Sequence, residues 1–405
     1  MNRAISAMAD LPSPEVLFND TALAHVPGAV RTREPISVHR KLPGYRPTPL
    51  VRCDAIAHRL GVADVWVKDE SWRLGLPAFK MLGASYAVYH ALIERLGHDV
   101  AWNDIDELRA QLATLMPMAL AAATDGNHGR AVARMAKLLG FPSSIYVPQG
   151  MVPARIEAIE SEGATVTVVA GDYDAAVRRS AEDAGDYCLV ISDTSWPGYV
   201  RTPTRVMRGY STVFAEISDQ LAAHGAPEPT MISVPVGVGA FAAAAVHNYK
   251  PENAVDATPF LLGVEPGSAN CVMQSIRSGE LVTVPGPHTS VMVGLNCGTP
   301  SEIAWPLVSR GLDAVVAIDD GWARQAMREL AAAGVVSGET GAASLAGLSA
   351  VCNGVDGGRL REQIGLGATS SVLVLSTEGA TDPDAWAHVV GRAVPQRSRT
   401  ISIGP

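Results

Sequence analysis

Lys80 is the first residue whose type and surroundings suggest chemistry. It lies in the segment PAFKMLGAS, between Phe79 and Met81, in a chain that has five lysines and 27 arginines. An amine held among apolar neighbours has a lowered pKa, because removal from water disfavours the ammonium form, whereas a guanidinium stays charged. A neutral amine can bond an aldehyde as a Schiff base. The alternative interpretation is a lysine at a helix start with its amine in water.

The segment SVPVGVGAFAAAAV combines a strand, a glycine-rich turn and an alanine-rich helix. Amides of such a turn, together with the helix N-terminus, can bind a phosphate without a basic side chain. The residues predicted to form this phosphate loop are Gly237, Val238, Gly239 and Ala240. The alternatives are a turn with no ligand and a dinucleotide-binding motif. The second alternative lacks an acidic residue at a strand end about 20 positions later, because Asp256 lies in a loop and Glu265 comes later.

Polar side chains follow three of the apolar strands that the sequence predicts. They occur in the segments ATDGNHGRAV, ISDTSWPGYV and VLVLSTEGATDP, and they are Thr124, Asp125, Asn127, His128, Asp193 and Ser376. Ligands of open α/β sheets bind at the carboxyl ends of the strands, so these side chains are candidates for a site. The alternative is that they cap helices and turns.

Short β-branched runs alternate with longer helical stretches along the chain, which is typical of an open parallel α/β sheet. Residues 119–192 are predicted to form a compact four-stranded unit, and strands from residue 230 to residue 376 form a second series. Helices are predicted over 80–97 and, as one long helix, between Pro203 and Gly225. Residues 1–35 and 395–405 show no periodicity and are expected to follow the surface.

Composition narrows the class of protein. The 405 residues are 47% hydrophobic and 18% charged, and the net charge is −9 without a basic tract, which disfavours nucleic acid and anionic membranes as partners. No apolar run is long enough to span a membrane, and the N-terminal sequence lacks a secretory signal, so a cytoplasmic protein is expected. Five widely spaced cysteines predict neither a disulfide framework nor a metal site, and no bridge between Cys271 and Cys297 is predicted.

A reactive amine, a phosphate loop and strand-end carboxylates together indicate pyridoxal 5′-phosphate, an aldehyde cofactor that carries a phosphate. The sequence also resembles the diaminopropionate ammonia-lyases, a branch of the fold-type II (tryptophan synthase β-like) enzymes that use this cofactor. The resemblance runs from about His39 to Pro383 and rests on motifs in matching order: PAFKMLGASYA, ATDGNHGRAVA, DTSWPGY, GVEPGSANC, VMVGLNCGTP, SGETGAASLAG and LSTEGATDP.

The resemblance implies an α/β fold with two open, twisted, mostly parallel sheets and helices on both faces. It implies a large domain made of residues 1–85 and 201–405, and a smaller inserted domain of residues 86–200. The site would lie in the cleft between them, which suggests closure on the substrate. A homodimer is expected, both from the resemblance and because two-fold assemblies are common.

The resemblance also implies roles for the candidate residues. Lys80 would be the Schiff-base lysine, residues 237–240 would surround the phosphate, Asn127 would hydrogen-bond the ring hydroxyl, and Ser376 would face the pyridine nitrogen. Asp125 and Asp193 match the acid/base carboxylates of the family, and Thr124, Asp125 and His128 are expected to contact the substrate. Three positions depart from the usual pattern of the family, namely Pro77, Pro197 and Ala380.

The activity that the resemblance implies is elimination of both amino groups from 2,3-diaminopropionate, which yields pyruvate and two molecules of ammonia. One alternative is a threonine or serine dehydratase, or another lyase of this cofactor class that acts on a different β-substituted amino acid. A more distant alternative is a nicotinamide-dependent oxidoreductase that uses the glycine turn at 237. A non-catalytic binding protein is disfavoured, because two carboxylates lie beside the proposed Schiff base.

Overall fold

A computed structural model describes residues 11–124, 126–255, 257–354 and 356–395. Its strands form two sheets, one of seven strands and one of four. In chain order the strands are β1 (Glu15–Phe18), β2 (Leu50–Arg52), β3 (Asp64–Asp69), β4 (Ala119–Ala123), β5 (Ser143–Pro148), β6 (Thr165–Val169), β7 (Cys188–Val190), β8 (Met231–Pro235), β9 (Phe260–Pro266), β10 (Ala314–Ile318) and β11 (Ser371–Ser376).

Helices cover the faces of both sheets. In chain order the helices are α1 (Glu34–His39), α2 (Asp54–Leu60), α3 (Lys80–Leu96), α4 (Ile105–Leu112), α5 (Asn127–Leu139), α6 (Pro153–Glu160), α7 (Tyr173–Ala181), α8 (Arg201–Gly209), α9 (Ser211–Ala223), α10 (Ala240–Tyr249), α11 (Cys271–Ser278), α12 (Trp305–Gly311), α13 (Asp320–Ala332), α14 (Ala343–Asn353), α15 (Gly357–Gln363) and α16 (Pro383–Val390). No helix in the described part of the chain is both long enough and apolar enough to span a membrane.

The larger sheet has the strand order β1-β10-β9-β8-β11-β3-β2. Its five inner strands run parallel, and the edge strands β1 and β2 pair antiparallel with their neighbours. Every residue of β8 and β11 is buried, which explains why these strands read as continuous apolar runs in the sequence. Because β8, β11 and β3 are adjacent and parallel, the segments that follow them emerge at one edge of the sheet.

The smaller sheet is parallel throughout and has the order β6-β5-β4-β7. Its strands are those predicted for residues 119–192, so the α/β architecture expected from the sequence is confirmed. One hydrophobic cluster includes Leu120 and Ile145 of this sheet and also Ile232 and Leu373 of the larger sheet. The two sheets therefore share a core rather than being joined only by chain crossings.

Helix α3 lies where the two sheets meet and packs against both α5 and α8. The crossing with α8 is close, because two glycines face the partner helix. A Cβ on Gly83 would lie 2.5 Å from the ring of Tyr210, and a Cβ on Gly209 would lie 2.6 Å from the carbonyl oxygen of Leu82. Any side chain at these positions would push the helices apart, so the glycines determine where α3, and with it Lys80, can lie.

Two sequence-based expectations differ from the structure. The single helix predicted between Pro203 and Gly225 is divided into α8 and α9 at Tyr210, next to the close approach at Gly209. The region 1–35, for which the sequence predicts no regular structure, contains β1, because residues Glu15–Phe18 pair with β10. Residue 85, the predicted end of the first part of the large domain, lies within α3, and the domain division stays a prediction.

Candidate active site

The candidate residues of the larger sheet come from neighbouring loops at its carboxyl edge. Ser376 is the last residue of β11, the glycine turn follows β8, and Lys80 begins α3 after the segment that follows β3. The peptide N–H of Phe79 donates to the carbonyl oxygen of Thr377 at 3.1 Å. The backbone beside Lys80 is thereby attached directly to the end of β11.

Lys80 and Asp193 bring the two sheets together. The Lys80 Nζ donates to Asp193 Oδ2 at 2.6 Å, and the Asp193 side chain is 11% exposed. Asp193 follows β7 of the smaller sheet, so its carboxylate reaches a lysine on the larger one. The Phe79 ring also approaches the amine, at 5.7 Å from its centroid. The amine thus has an aromatic neighbour and a carboxylate partner.

The surroundings of Asp193 favour its ionised form. Burial by itself raises the pKa of Asp193, but the positive charge of Lys80 and the nearby His128 act in the opposite direction. Hydrogen bonds from Lys80 and from Tyr173, whose Oη donates to Asp193 Oδ1 at 3.3 Å, add to that effect. The net result is a pKa for Asp193 well below the ordinary aspartate value. Asp193 is therefore a carboxylate at neutral pH in this arrangement.

His128 and Thr124 shape the turn that precedes α5. His128 Nε2 lies 2.8 Å from the carbonyl oxygen of Ile191; a carbonyl only accepts, so Nε2 donates, and Nδ1 lies 3.9 Å from Asp193 Oδ2. Thr124 Oγ1 accepts from the amides of Gly126 and Gly129 at 2.9 and 3.0 Å. Thr124 therefore holds the turn, and its predicted contact with substrate stays a prediction. Asp125 lies outside the described residues.

Asn127 has a partner that the local sequence pattern does not identify. Its Nδ2 donates to Oε2 of Glu378 at 2.6 Å, and Glu378 is buried two residues beyond Ser376. This bond connects the N-terminus of α5 with the end of β11, and so joins the two sheets a second time. The segment STEGATD offered a signal for Glu378, because it places a carboxylate directly after a buried strand.

Ser376 also has a protein partner. Its Oγ donates to Ser337 Oγ at 2.8 Å, and both side chains are fully buried. Ser337 opens the SGETG segment, which packs closely on the residues after β11: a Cβ on Gly338 would lie 2.4 Å from the carbonyl oxygen of Gly379. This segment is one of the motifs on which the family resemblance rests, but the motif alone assigns no role to Ser337.

The glycine turn fits a phosphate group. Gly239 has φ +93°, and α10 begins at Ala240. The amides of residues 237–240 donate to no backbone or side-chain acceptor within the described residues, whereas the Val238 carbonyl accepts from the Ser301 amide at 2.8 Å. Several backbone N–H donors at the N-terminus of α10 are thus without an acceptor among the described residues, and the Ser301 amide fixes the loop from outside. This is the arrangement that an oxyanion requires.

Tyr210 is a further residue of the site that the sequence pattern did not reveal. Its buried ring lies 4.6 Å from the ring of Phe79 and 5.7 Å from that of Phe241, between centroids. Burial raises the pKa of Tyr210, while the neighbouring Lys80 acts in the opposite direction. Phe241 follows Ala240, so these aromatic rings connect Lys80 with the glycine turn. The sequence pattern places Tyr210 inside one long helix and gives it no special position.

Two of the positions that depart from the family pattern fit their local structure. Pro197 and Gly198 are the central residues of a turn closed by the Tyr199 amide on the Trp196 carbonyl at 2.8 Å. Gly198 has φ +84°, so proline followed by glycine suits a type II turn. The Pro77 carbonyl accepts from the Gly379 amide at 2.9 Å.

The cysteines near the glycine turn are free thiols in the structure. Cys271 Sγ lies 3.8 Å from the carbonyl oxygen of Gly237 and donates to it. A Cβ on Gly237 would lie 3.1 Å from Cys297 Sγ. Both cysteines therefore pack against the loop, and burial raises the pKa of the Cys271 thiol.

Comparison with known proteins extends over most of the chain. Residues 41–376 match the family model described as pyridoxal-phosphate dependent enzyme. The diaminopropionate ammonia-lyase of Salmonella typhimurium is 37% identical over 373 residues, which cover 88% of this chain and 91% of that protein.

Solved structures agree with the sequence comparison. The crystal structure of diaminopropionate ammonia-lyase from Escherichia coli in complex with D-serine superposes with a TM-score of 0.85 at 34% identity, covering 94% of this chain and 98% of the other. The same enzyme in complex with an aminoacrylate-PLP azomethine reaction intermediate gives a TM-score of 0.82 at 33% identity, with coverages of 94% and 97%.

Proposed function

The chain belongs to the pyridoxal-phosphate dependent enzymes and, within them, to the diaminopropionate ammonia-lyases, and from this premise we propose that it converts 2,3-diaminopropionate and water to pyruvate and two molecules of ammonia. The main structural support for this proposal is the 2.6 Å hydrogen bond from Lys80 Nζ to the Asp193 carboxylate. It places an amine and an ionised acid together where the carboxyl edges of both sheets meet. The nicotinamide alternative falls, because the matched family uses a different cofactor.

The residues present suit the cofactor. Lys80 would bond its aldehyde, the amides of residues 237–240 would bind its phosphate, and Ser376 would face the pyridine nitrogen. Asn127 would bind the ring hydroxyl, and its bond to Glu378 holds the side chain at the junction of the sheets. When bound, pyridoxal 5′-phosphate withdraws electrons from an amino acid joined to it and so weakens the bond between the α-carbon and its hydrogen.

Asp193 would recognise the β-amino group of the substrate. That group is a cation at neutral pH, and an ionised, largely buried carboxylate binds a cation through a charge-assisted hydrogen bond. An ammonium group already carries its proton and leaves as neutral ammonia, so elimination at the β-carbon needs no further acid. The lowered pKa of Asp193, which depends on Lys80 and His128, keeps this carboxylate ionised while the Lys80 amine is free, and an ionised carboxylate suits the binding role. It does not suit a proton donor, which would need an aspartate with a raised pKa.

Lys80 and the aspartates would act together in the transfer of the proton on the α-carbon of the substrate. With the substrate in place, the Lys80 amine would be free to accept the α-proton, and the Asp193 carboxylate, 2.6 Å from Nζ, would stabilise the ammonium group that results. Asp125 would act as the second carboxylate. A base on each side of the substrate would allow both stereoisomers to react.

The proposal is tested by the ratio of ammonia to pyruvate across the D and L isomers of 2,3-diaminopropionate, serine and threonine. A diamino acid releases two ammonia per pyruvate, and serine releases one. We expect kcat/KM to be highest for a 2,3-diaminopropionate isomer with a ratio of two. A higher kcat/KM for serine or threonine would reject the proposal in favour of a dehydratase.

We further propose that the chain acts as a cytoplasmic homodimer with a large domain of residues 1–85 and 201–405 and a small domain of residues 86–200. The position of the smaller sheet supports this division, because all its strands lie between Ala119 and Val190. Light scattering on the purified holoenzyme tests the dimer, and a monomeric mass would reject it.

A further inference from the structure

A cavity of about 300 Å³ is lined by residues that belong neither to the glycine turn nor to the contact between Lys80 and Asp193. Its walls are the segment 28–32, helix α8, the first turn of α9, and α10. The polar side chains that line it are Thr32, Thr204, Arg208, Ser211 and His247, and Val30, Met207 and Ala244 provide apolar surface. A volume of this size lies at the lower end of the range of small-molecule sites.

Ser211 lines this cavity, and its hydroxyl is buried. The residue is 5% exposed, and its Oγ has no hydrogen-bond partner among the described residues. Buried hydroxyls are normally hydrogen-bonded, because a hydroxyl removed from water without a partner destabilises the folded state. The Ser211 hydroxyl is therefore an unused donor behind the wall of the cavity, and it reaches the open space only when the side chain rotates.

His247 presents a second donor. Its Nδ1 accepts the Val30 amide at 2.9 Å, and burial together with the charge of Arg208 lowers the pKa of His247 to about 4. The ring is neutral at pH 7, and since Nδ1 is the acceptor, Nε2 carries the proton. The segment 28–32 thus determines the tautomer that the cavity contains.

Arg208 supplies a positive charge that no described residue neutralises. Its guanidinium forms no ion pair or hydrogen bond within the described part of the chain, whereas Arg205 on the same helix pairs with Glu94 at 2.8 Å. None of the described residues that line the cavity is Asp or Glu. The cavity therefore combines one free cation with hydroxyl and imidazole donors, which is a set suited to an anion.

We propose that this cavity binds a small carboxylate metabolite with an apolar body, at a site separate from Lys80. Arg208 pairs with the carboxylate, the Ser211 hydroxyl and His247 Nε2 donate to it, and the body packs on Val30 and Met207. Monocarboxylates match best, because the described lining residues include one arginine, no carboxylate and several apolar side chains. The walls of the cavity continue into the catalytic region: α10 begins at the phosphate loop, and Ser211 follows the residue that contacts Phe79.

The probe for this site is 4-fluorobenzoate, which has a carboxylate, an apolar ring and a fluorine signal, titrated with the holoenzyme and followed by ¹⁹F NMR. We expect saturable binding that Arg208→Gln weakens at least about tenfold, the loss of a charge-assisted pair. Ser211→Ala should weaken binding by a smaller factor. Arg208 is exposed and has no partner among the described residues, so its replacement should leave the melting temperature unchanged.

Two matched variants distinguish binding in this cavity from binding on the nearby surface or in the catalytic region. Arg205→Gln removes a cation from the same helix but not from the cavity, and it should leave the affinity for 4-fluorobenzoate within about twofold, the range of a screened surface charge. Lys80→Ala alters the catalytic region and should also preserve binding. The proposal is overturned if the wild-type enzyme shows no saturable binding, if Arg208→Gln binds as tightly as wild type, or if Lys80→Ala abolishes the signal.

Discussion

Replacement of Asp193 by Asn is the perturbation that separates the role of its charge from the role of its shape. The side chain keeps its size but loses the negative charge that faces Lys80 Nζ at 2.6 Å. Acid–base catalysis contributes about 10²- to 10⁴-fold to a rate, and Asp193 would support Lys80 in that role by stabilising its ammonium form, so kcat/KM for 2,3-diaminopropionate should fall by up to a factor in that range. The cofactor should still bind, since its proposed contacts are made by other residues.

The choice of substrate makes the prediction more specific. A hydrogen bond to a charged group contributes about 1.5–3 kcal/mol, which corresponds to about 10- to 150-fold in kcat/KM. Asp193 can form an ion pair with the β-ammonium group of 2,3-diaminopropionate, whereas the neutral hydroxyl of serine can donate only a hydrogen bond without a charge of its own. Asp193→Asn should therefore impair turnover of the diamino acid by that additional factor relative to serine.

The assay measures pyruvate formation from both substrates with wild type, Asp193→Asn and the control Tyr173→Phe. The control removes the 3.3 Å hydrogen bond from Tyr173 Oη to the carboxylate but keeps the negative charge of Asp193, and it should reduce kcat/KM by less than about tenfold for either substrate. An equal loss on the diamino acid and on serine in Asp193→Asn would refute recognition of the β-ammonium group by this residue. Unchanged turnover would refute any role in the reaction.

Three further predictions follow from the same structure. Gly239→Ala places a side chain at φ +93° and should destabilise the holoenzyme by about 1–2 kcal/mol, which thermal unfolding would measure. It should also weaken cofactor affinity, measured by fluorescence titration, and an unchanged affinity would argue against the phosphate loop. Tyr210→Phe keeps the ring but removes the hydroxyl beside Lys80, so kcat should fall about 2- to 10-fold with little change in KM. The dependence of kcat on pH should also change, whereas a purely structural role of Tyr210 would leave it unchanged. Because the pKa of Asp193 is lowered in the folded apoenzyme, its ionised form stabilises the fold above the ordinary aspartate pKa of about 3.9, and this effect is lost as pH falls. The free energy of unfolding of wild type should therefore exceed that of Asp193→Asn by less below that pKa than at neutral pH. A difference in urea unfolding that stays constant with pH would contradict this prediction.

Much of the fold could be predicted because buried parallel strands leave a plain pattern. The strands VLVLS and MISVP are apolar at nearly every position, since both of their faces are covered. Strand β1 escaped prediction because its four residues pair antiparallel at the sheet edge and are too few to show a period. The break at Tyr210 escaped it because the cause, the close approach of Gly209 to α3, is a tertiary contact.

The sequence predicted most of the polar residues of the candidate site but not the hydrogen-bond partners of those residues. Strand-end positions indicated Asn127, Asp193 and Ser376, because parallel strands end at a common edge. Their partners are far away in the sequence, as in the bond between Asn127 and Glu378, which are 251 residues apart. A local pattern cannot specify which distant carboxylate meets which amide. The lowered pKa of Asp193 has the same origin, since it depends on Lys80 from the other sheet.

Lys80 is the residue that we expect to bond the cofactor aldehyde. Reduction of the holoenzyme with borohydride, followed by digestion and mass spectrometry, measures this directly, because reduction makes the bond permanent. We predict one phosphopyridoxyl group per chain, on the peptide that contains PAFKMLG, and no such group in Lys80→Ala. A label on any of the other four lysines, or the same labelling in Lys80→Ala, would contradict this claim.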